Sequence, residues 1–524
     1  MTRLGGPALR LVASSLVSER RAPKGIGENL VNGAGERGVQ VDGHAPGCSA
    51  KRTAHTDALW ASDAVLNTYI TARLAPTAER ILAAAYAVLA REGYAGLTLR
   101  RIAEEAGVHK SLIIYHFHGK SALVALLVDY LWHGADVDLV ERLRALPDEL
   151  QPRVGALIAA HKTFAGDAER NRMYLDLLPP VLRDNEARQR LARVYAAYRQ
   201  LNVSCLQHAE IAADRLPLLG AILLAVGEGL PVQMLADPGA LDGSAVFDVL
   251  AALTLAYLES GRNSCGTPIG RGVSSSLQSS APGPRESSVS QTGGRGDGLV
   301  GEGGLQMLGS VLATGARGAD LSRTGRNILR GARRVLRKRG LDAVTLEAVA
   351  DAAGEARSSV SYHFGDKQGL VTALVDDVLH DQRQAIVRVL RRAMRESGRI
   401  DIGALLRAAT AYLSDLTELR SFYNLLPAVL RDDAKRARLA EWQRNLRMTI
   451  ATCLAPDPES ALDEPFVSAA ALSLAALHGL AIQAIIDSGS FSPSLALGTL
   501  GELLGWLPAA TRGDDGLAKG AGVA

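Results

Sequence analysis

The sequence predicts an all-α protein built from two tandem copies of one unit, each a three-helix helix-turn-helix domain followed by a helical bundle. Aromatic residues make up only 4% of the 524 residues, and Ala and Leu dominate, a composition of packed helices rather than sheets. Apolar residues recur at 3.6-residue spacing, as in Ile81, Ala84, Ala85, Val88 and Leu89. A shift of 247 positions superimposes one half of the chain on the other: Ile81 falls on Ile328, Gly93 on Gly340, Thr98 on Thr345, Gly107 on Gly354 and Lys120 on Lys367. Downstream the register continues with small insertions. LLPPVLRDN at 177–185 matches LLPAVLRDD at 425–433, Cys205 matches Cys453, and GLPVQMLADPG at 229–239 matches GLAIQAIIDSG at 479–489.

Residues 1–72 are rich in Gly, Ser, Ala and Arg without sustained periodicity, and read as a disordered extension. Order begins near Pro76, well suited to a first helical turn, and Gly93 is expected to close that helix. Thr98 is a natural N-cap for the next helix, whose apolar face is Leu99, Ile102, Ala103 and Ala106. Gly107 supplies the positive φ of a tight turn, and a second helix, HKSLIIYH, follows at once. Such a helix–Gly turn–helix with a polar, basic second helix is the outline of a DNA-reading motif, and the chain holds it twice. From Lys120 to Ser260 the pattern stays helical, with breaks expected at Pro147, the Pro179–Pro180 pair, Pro217 and Asp237-Pro238-Gly239. The domains expected are thus a reader at 74–134, a bundle at 135–260, a Gly/Ser/Pro linker at 261–320, a second reader at 321–381, a second bundle at 382–510 and a disordered tail at 511–524.

The net charge of +3 is uninformative, but its distribution is not. Leu321–Arg339 carries eight Lys or Arg and no acid, with Arg326, Arg330, Arg333 and Arg337 on one face, which favours DNA. Four scattered cysteines exclude a disulfide framework or zinc knuckle and suit the cytoplasm. The most apolar stretch, Leu216–Leu235, is interrupted by Glu228 and reads as a buried helix rather than a membrane span. Gly119-Lys120-Ser121 lacks the upstream glycine of a phosphate loop, since Ile114 stands there. His116 and His118 stand two apart, the wrong spacing for a metal pair on one helix face. His161, Cys205, His208, Glu228 and His478 form no nucleophile–base signature, so neither an enzyme, a metal nor a cofactor is expected.

Each unit resembles the TetR family of bacterial transcriptional regulators. The resemblance rests on Thr98, Ile102-Ala103, Ala106-Gly107-Val108, Tyr115-His116-Phe117 and Lys120, and again on Thr345, Val349-Ala350, Ala353-Gly354, Tyr362-His363-Phe364 and Lys367. It implies a double-stranded operator DNA partner and a ligand-responsive regulator, by the family's habit a repressor. It also implies roles for particular residues. His109, Lys110, Ser111 and Leu112 open the first recognition helix and face bases, with Arg100 on the preceding helix, while Tyr115, His116 and Lys120 grip phosphates. In the second reader Arg357, Ser358 and Ser359 face bases, and Tyr362, His363 and Lys367 the backbone. The pattern departs where family members usually carry Tyr, at Ile114 and Ser361, and Glu347 and Glu355 put negative charge where phosphates are expected. An alternative therefore stands, in which only the first reader, or neither, binds DNA and the bundles form a ligand-binding or interaction module.

Family members pair as homodimers through their last bundle helices. Two units on one chain imply an intrachain pseudo-dimer or, alternatively, a homodimer of chains, with 216–236 and 466–487 as candidate interface helices. The 60-residue linker has an end-to-end distance of about 40–45 Å. It raises the units' mutual concentration to roughly millimolar. The bundles are expected to take a small apolar effector in a pocket whose residues the sequence does not identify.

Overall fold

The computed structural model describes residues 75–133, 149–206, 215–263, 321–397, 400–457, 459–487 and 492–507, with 146, 147 and 489 besides. The N-terminal extension, residues 264–320 of the linker and the tail at 511–524 lie outside the described residues. Eighteen α-helices and two short 3₁₀ turns, and no strand, occur among the described residues. The chain divides into two compact units, Met1–Gly134 and Ala135–Ala524.

The first unit is the first reader: α1 (Pro76–Gly96), α2 (Leu99–Ala106), α3 (Lys110–Phe117) and α4 (Lys120–His133). Gly93 kinks α1 at φ 67°, and helical turns resume to Gly96 instead of ending there. The Thr98 hydroxyl accepts from the Arg101 backbone N–H at 3.2 Å, the expected cap. Gly107, at φ 62° and ψ 39°, ends α2 in the left-handed conformation that only glycine adopts without strain. Ile81, Leu82, Leu89, Ile102, Ile113, Phe117, Leu123 and Leu127 are all buried, so each helix contributes to one small core. His118 closes α3 at φ 57°, whereas the matching position of the second unit is Gly365 at φ 74°. We expect His118→Gly to raise thermal stability by about 1 kcal/mol, because a left-handed non-glycine residue costs about 1–2 kcal/mol; a lowered melting temperature would contradict this.

The second unit opens with a bundle of α5 (Leu150–Gly166), α6 (Ala168–Arg183), α7 (Asn185–Leu206), α8 (Leu216–Ala236) and α9 (Gly243–Asn263). The second reader follows as α10 (Arg323–Arg339), α11 (Leu346–Ala353) and α12 (Arg357–Phe364). A 31-residue helix, α13 (Lys367–Ser397), leads into α14 (Ile402–Ser414), α15 (Leu416–Arg431), α16 (Asp433–Leu454), α17 (Glu464–Ile486) and α18 (Pro493–Leu504). Contrary to the break expected from sequence, Pro179 and Pro180 lie inside α6, as Pro427 lies inside α15. Each removes one helical N–H. The burial of Leu177, Leu178, Pro179 and Val181 against neighbouring helices outweighs that loss.

The most extensive helix contact joins α8 to α17. Both are long and apolar enough to cross a membrane, yet both are enclosed within the protein. Their backbones touch. A Cβ on Gly229 would lie 1.9 Å from the Ala475 carbonyl oxygen, and one on Gly479 would lie 2.0 Å from that of Ala225. Contacts around this crossing come in reciprocal pairs. Gln233 Nε2 donates to the Ala471 carbonyl at 2.9 Å, and Gln483 Nε2 to that of Ala221 at 3.1 Å. Arg199 Nη1 donates to Gln483 Oε1 at 3.4 Å, and Arg447 Nη1 to Gln233 Oε1 at 3.2 Å. Arg199 pairs with Asp487 at 2.6 Å, and Arg447 with Asp237 at 3.8 Å. Between α6 and α15, Arg183 Nη1 donates to Asn424 Oδ1 at 3.0 Å while Arg431 pairs with Asp176. The equivalences 183/431, 199/447, 229/479 and 233/483 are those of the sequence repeat. The bundles therefore meet about a pseudo-two-fold axis, with the self-complementary pattern of a symmetric dimer interface.

One pair breaks that symmetry chemically. Asp176 is buried, and burial pushes its carboxyl up to about 6 in spite of the Arg431 guanidinium beside it. Its counterpart, Asn424, is neutral. Because the folded value lies above the ordinary 3.8, ionisation of Asp176 costs stability above pH 6, and that cost vanishes as pH falls toward 4. Asp176→Asn should therefore stabilise the protein by about 1–2 kcal/mol at pH 8 and by nothing near pH 4. Denaturant titrations of both proteins across that range would check it, and a destabilised variant at pH 8 would refute it.

Candidate nucleic-acid interface

Each recognition helix is eight residues long and buries its apolar side, Ile113 and Phe117 in α3 and Val360 in α12. That leaves the other side to solvent. On the first reader Arg100, His109, Lys110, Ser111, Leu112 and Tyr115 are exposed, and His116 and Lys120 are half-buried. Tyr115 is 74% exposed and Tyr362 is 86% exposed, unusual for aromatic side chains. On the second reader Arg357, Ser358, Tyr362 and Lys367 are exposed, with Ser359 and His363 half-buried. Every residue assigned to an interface from sequence thus sits on one of these two helices or at the adjoining helix starts.

Local contacts orient several of them. His109 caps α3, its Nδ1 lying 2.8 Å from Ser111 Oγ. Lys120 places its ammonium 3.9 Å from the centre of the Tyr94 ring, a cation–π contact that fixes the start of α4. Its counterpart Lys367 donates instead to the Asp342 carbonyl at 3.2 Å. Arg100 Nε donates to Glu104 Oε1 at 2.8 Å across one helical turn, which holds the Glu104 carboxyl below its usual range. Tyr115 stands edge-on to His116, as Tyr362 does to His363.

The acids that looked incompatible with phosphate both have partners within the fold. Glu355 is half-buried and accepts from Asn327 Nδ2 at 3.0 Å, tying the interhelical turn to α10. Glu347 pairs with Arg357 at 2.7 Å. One basic residue also changes meaning. Arg333, read from sequence as part of a DNA-facing stripe, is buried between α10, α13 and α15. Its guanidinium lies 2.6 Å from Asp377 and 2.7 Å from Asp381, and it also pairs with Glu418. Arg337 lies 3.5 Å from Glu418. These two arginines fasten the second reader to its bundle rather than adding to its outer charge. Burial raises the carboxyls of Asp377 and Glu418, while the surrounding carboxylates raise Arg333 against the opposing effect of its own burial.

Of the residues weighed as catalytic from sequence, His161, Cys205, Glu228 and His478 are interior. Burial lowers both His161 and His478 to about 4, so both are neutral. Gln443 Nε2 lies 3.3 Å from His478 Nε2, while Tyr423 Oη lies 3.2 Å from Nδ1 and donates to the His478 carbonyl at 3.0 Å. Glu228 is buried beside Tyr195, and desolvation holds its carboxyl well above the usual range. His208 lies outside the described residues. No cluster of three metal-ligating side chains occurs among the described residues.

The second bundle contains an apolar cavity of about 60 Å³ whose lining residues the sequence did not identify. Ile386 of α13, Leu406 of α14, Leu446 and Ile450 of α16, Leu477 of α17 and Leu500 of α18 line it. The same α13 begins at Lys367 and carries Asp377 and Asp381, so one helix connects reader, ion cluster and cavity.

The model of the tetR family of bacterial regulatory proteins matches the chain twice, at residues 81–127 and 328–374. These matches fall on the two readers. The chain carries two TetR-like units in tandem. A relative among characterised proteins is the HTH-type transcriptional repressor AcnR of Corynebacterium efficiens, 30% identical over 118 residues. That alignment covers 22% of this chain and 62% of the relative. Over its two readers the chain is thus similar to the DNA-binding domains of tetR-family regulators.

Proposed function

We propose that the protein is a ligand-responsive repressor that binds DNA as an intrachain pseudo-dimer, on an imperfect palindrome, at the bacterial nucleoid in the cytoplasm. The observation that carries this reading is the reciprocal α8–α17 crossing at Gly229 and Gly479, a dimer-type interface closed within one chain. Two readers belonging to such a pair would meet successive major grooves about 34–36 Å apart. Repression is the role of the relative AcnR, a transcriptional repressor.

An effector would act through the second bundle. At about 60 Å³ the cavity is well below the volume of a drug-sized ligand site, so an apolar molecule must widen it. Widening presses on α13, and α13 carries Lys367 and the Arg333 cluster with it. The ligand then favours a spacing of readers that no longer fits the operator.

The recognition helices differ, HKSLIIYH against ARSSVSYH, so their half-sites should differ too. Selection from random DNA with the full chain should return two unlike half-sites with centres about 10 bp apart. A perfect palindrome would contradict the pseudo-dimer, and selection of no DNA would leave the bundles as a ligand or interaction module. Lys367→Ala should weaken binding evenly across sequences and lower the salt slope of log K by about 0.9. An unchanged slope would remove Lys367 from the interface.

A further inference from the structure

We infer that Glu347 sets the base preference of the second reader by holding Arg357 as a guanine-reading fork. This deepens the proposal above and rests on the second reader's contact with DNA. Arg357 is the first residue of α12, at the end of a recognition helix that points toward base edges. Glu347 stands in the first turn of α11, just past its Thr345 cap. Glu347 Oε1 lies 2.7 Å from Arg357 Nε, and this is the one partner of the guanidinium among the described residues. Both Nη groups are therefore left unused at the outer end of the side chain. Two parallel N–H donors are what the O6 and N7 acceptors of guanine require in the major groove. The side chains are 66% and 59% exposed, so the fork is accessible while its stem is restrained.

A carboxylate at this position repels phosphates and lowers affinity for any DNA. It improves discrimination by fixing the orientation of the arginine, a trade of affinity for specificity. The first reader is arranged differently. Its residues at the equivalent positions are Arg100 and Lys110, and the restrained guanidinium is that of Arg100 on α2, held through Nε by Glu104. The held fork thus stands on the recognition helix in one reader and on the helix before it in the other, which places the preferred guanine differently in the two half-sites.

The test measures equilibrium binding of the full chain to its selected operator and to the same duplex with 7-deazaguanine, which lacks N7, in the second half-site. Arg357→Ala should reduce discrimination between these duplexes roughly tenfold. Glu347→Ala should lose most of that discrimination while binding non-specific DNA more tightly. Glu347→Gln, which keeps the shape but removes the charge of the ion pair, should lose it likewise, and Glu347→Ala should cost nothing further when added to Arg357→Ala. Unchanged guanine discrimination in Glu347→Ala would overturn the proposal, leaving Glu347 a simple repulsive charge. If Arg357→Ala, Tyr362→Ala and Lys367→Ala all leave operator affinity unchanged, the second reader is not on the DNA, and the reading beneath the proposal falls with it.

Discussion

Alanine at Gly479 or Gly229 should destabilise the second unit by about 3 kcal/mol or more and abolish tight operator binding. Helix propensity alone predicts the opposite sign, because alanine is favoured over glycine in a helix interior by about 1 kcal/mol. Packing decides. The new methyl would sit 1.9–2.0 Å from a backbone carbonyl oxygen of the facing helix, an atom that cannot swing aside as a side-chain tip can. The helices must separate, and Gln233, Gln483, Arg199 and Arg447 would lose their cross-bundle partners with them. Gly155, also in a helix, has nothing within 4 Å of such a methyl, so Gly155→Ala should be neutral or slightly stabilising. Denaturant midpoints of the three variants check the account. Equal effects at Gly155 and Gly479 would show that the close crossing has no energetic importance.

Replacing Arg333 with methionine should cost about 3–5 kcal/mol, in the range measured when one partner of a buried ion cluster is removed. Asp377, Asp381 and Glu418 would then face one another without their shared guanidinium, Arg337 remaining beside Glu418. Repulsion would loosen α10 from α13 and α15, so the second reader would lose its fixed attachment while its own core remained. Hydrogen exchange should rise over 323–339 more than over 464–486. Acidification should partly restore stability, since protonating the raised carboxyls of Asp377 and Glu418 removes the repulsion. A variant as stable as the parent at neutral pH would contradict this view of the cluster.

The readers were legible in sequence because their determinants are local. A threonine cap, a left-handed glycine and a short polar helix each follow from neighbours within a turn or two, as at Thr98, Gly107 and Lys110. The inter-bundle helices were legible because α8 and α17 are apolar on every side, which requires burial all round. Arg333 was misread because its carboxylates lie 44 and 85 residues away, so its helix alone presents only a basic stripe. Pro179 and Pro180 were misread because tertiary burial overrode local propensity. The Glu347–Arg357 pair lies between two helices, and sequence showed only an acid out of place. Arg183 and Arg431 are visible as a repeat, but only the fold shows that each crosses to the other bundle.

The central claim is that one chain supplies both halves of the DNA-binding dimer. Light scattering of the purified full chain, free and bound to its selected operator duplex, measures this directly. The account predicts one chain per duplex, with protection over two adjacent major grooves. Two chains per duplex would mean that the units pair between molecules, and would contradict it.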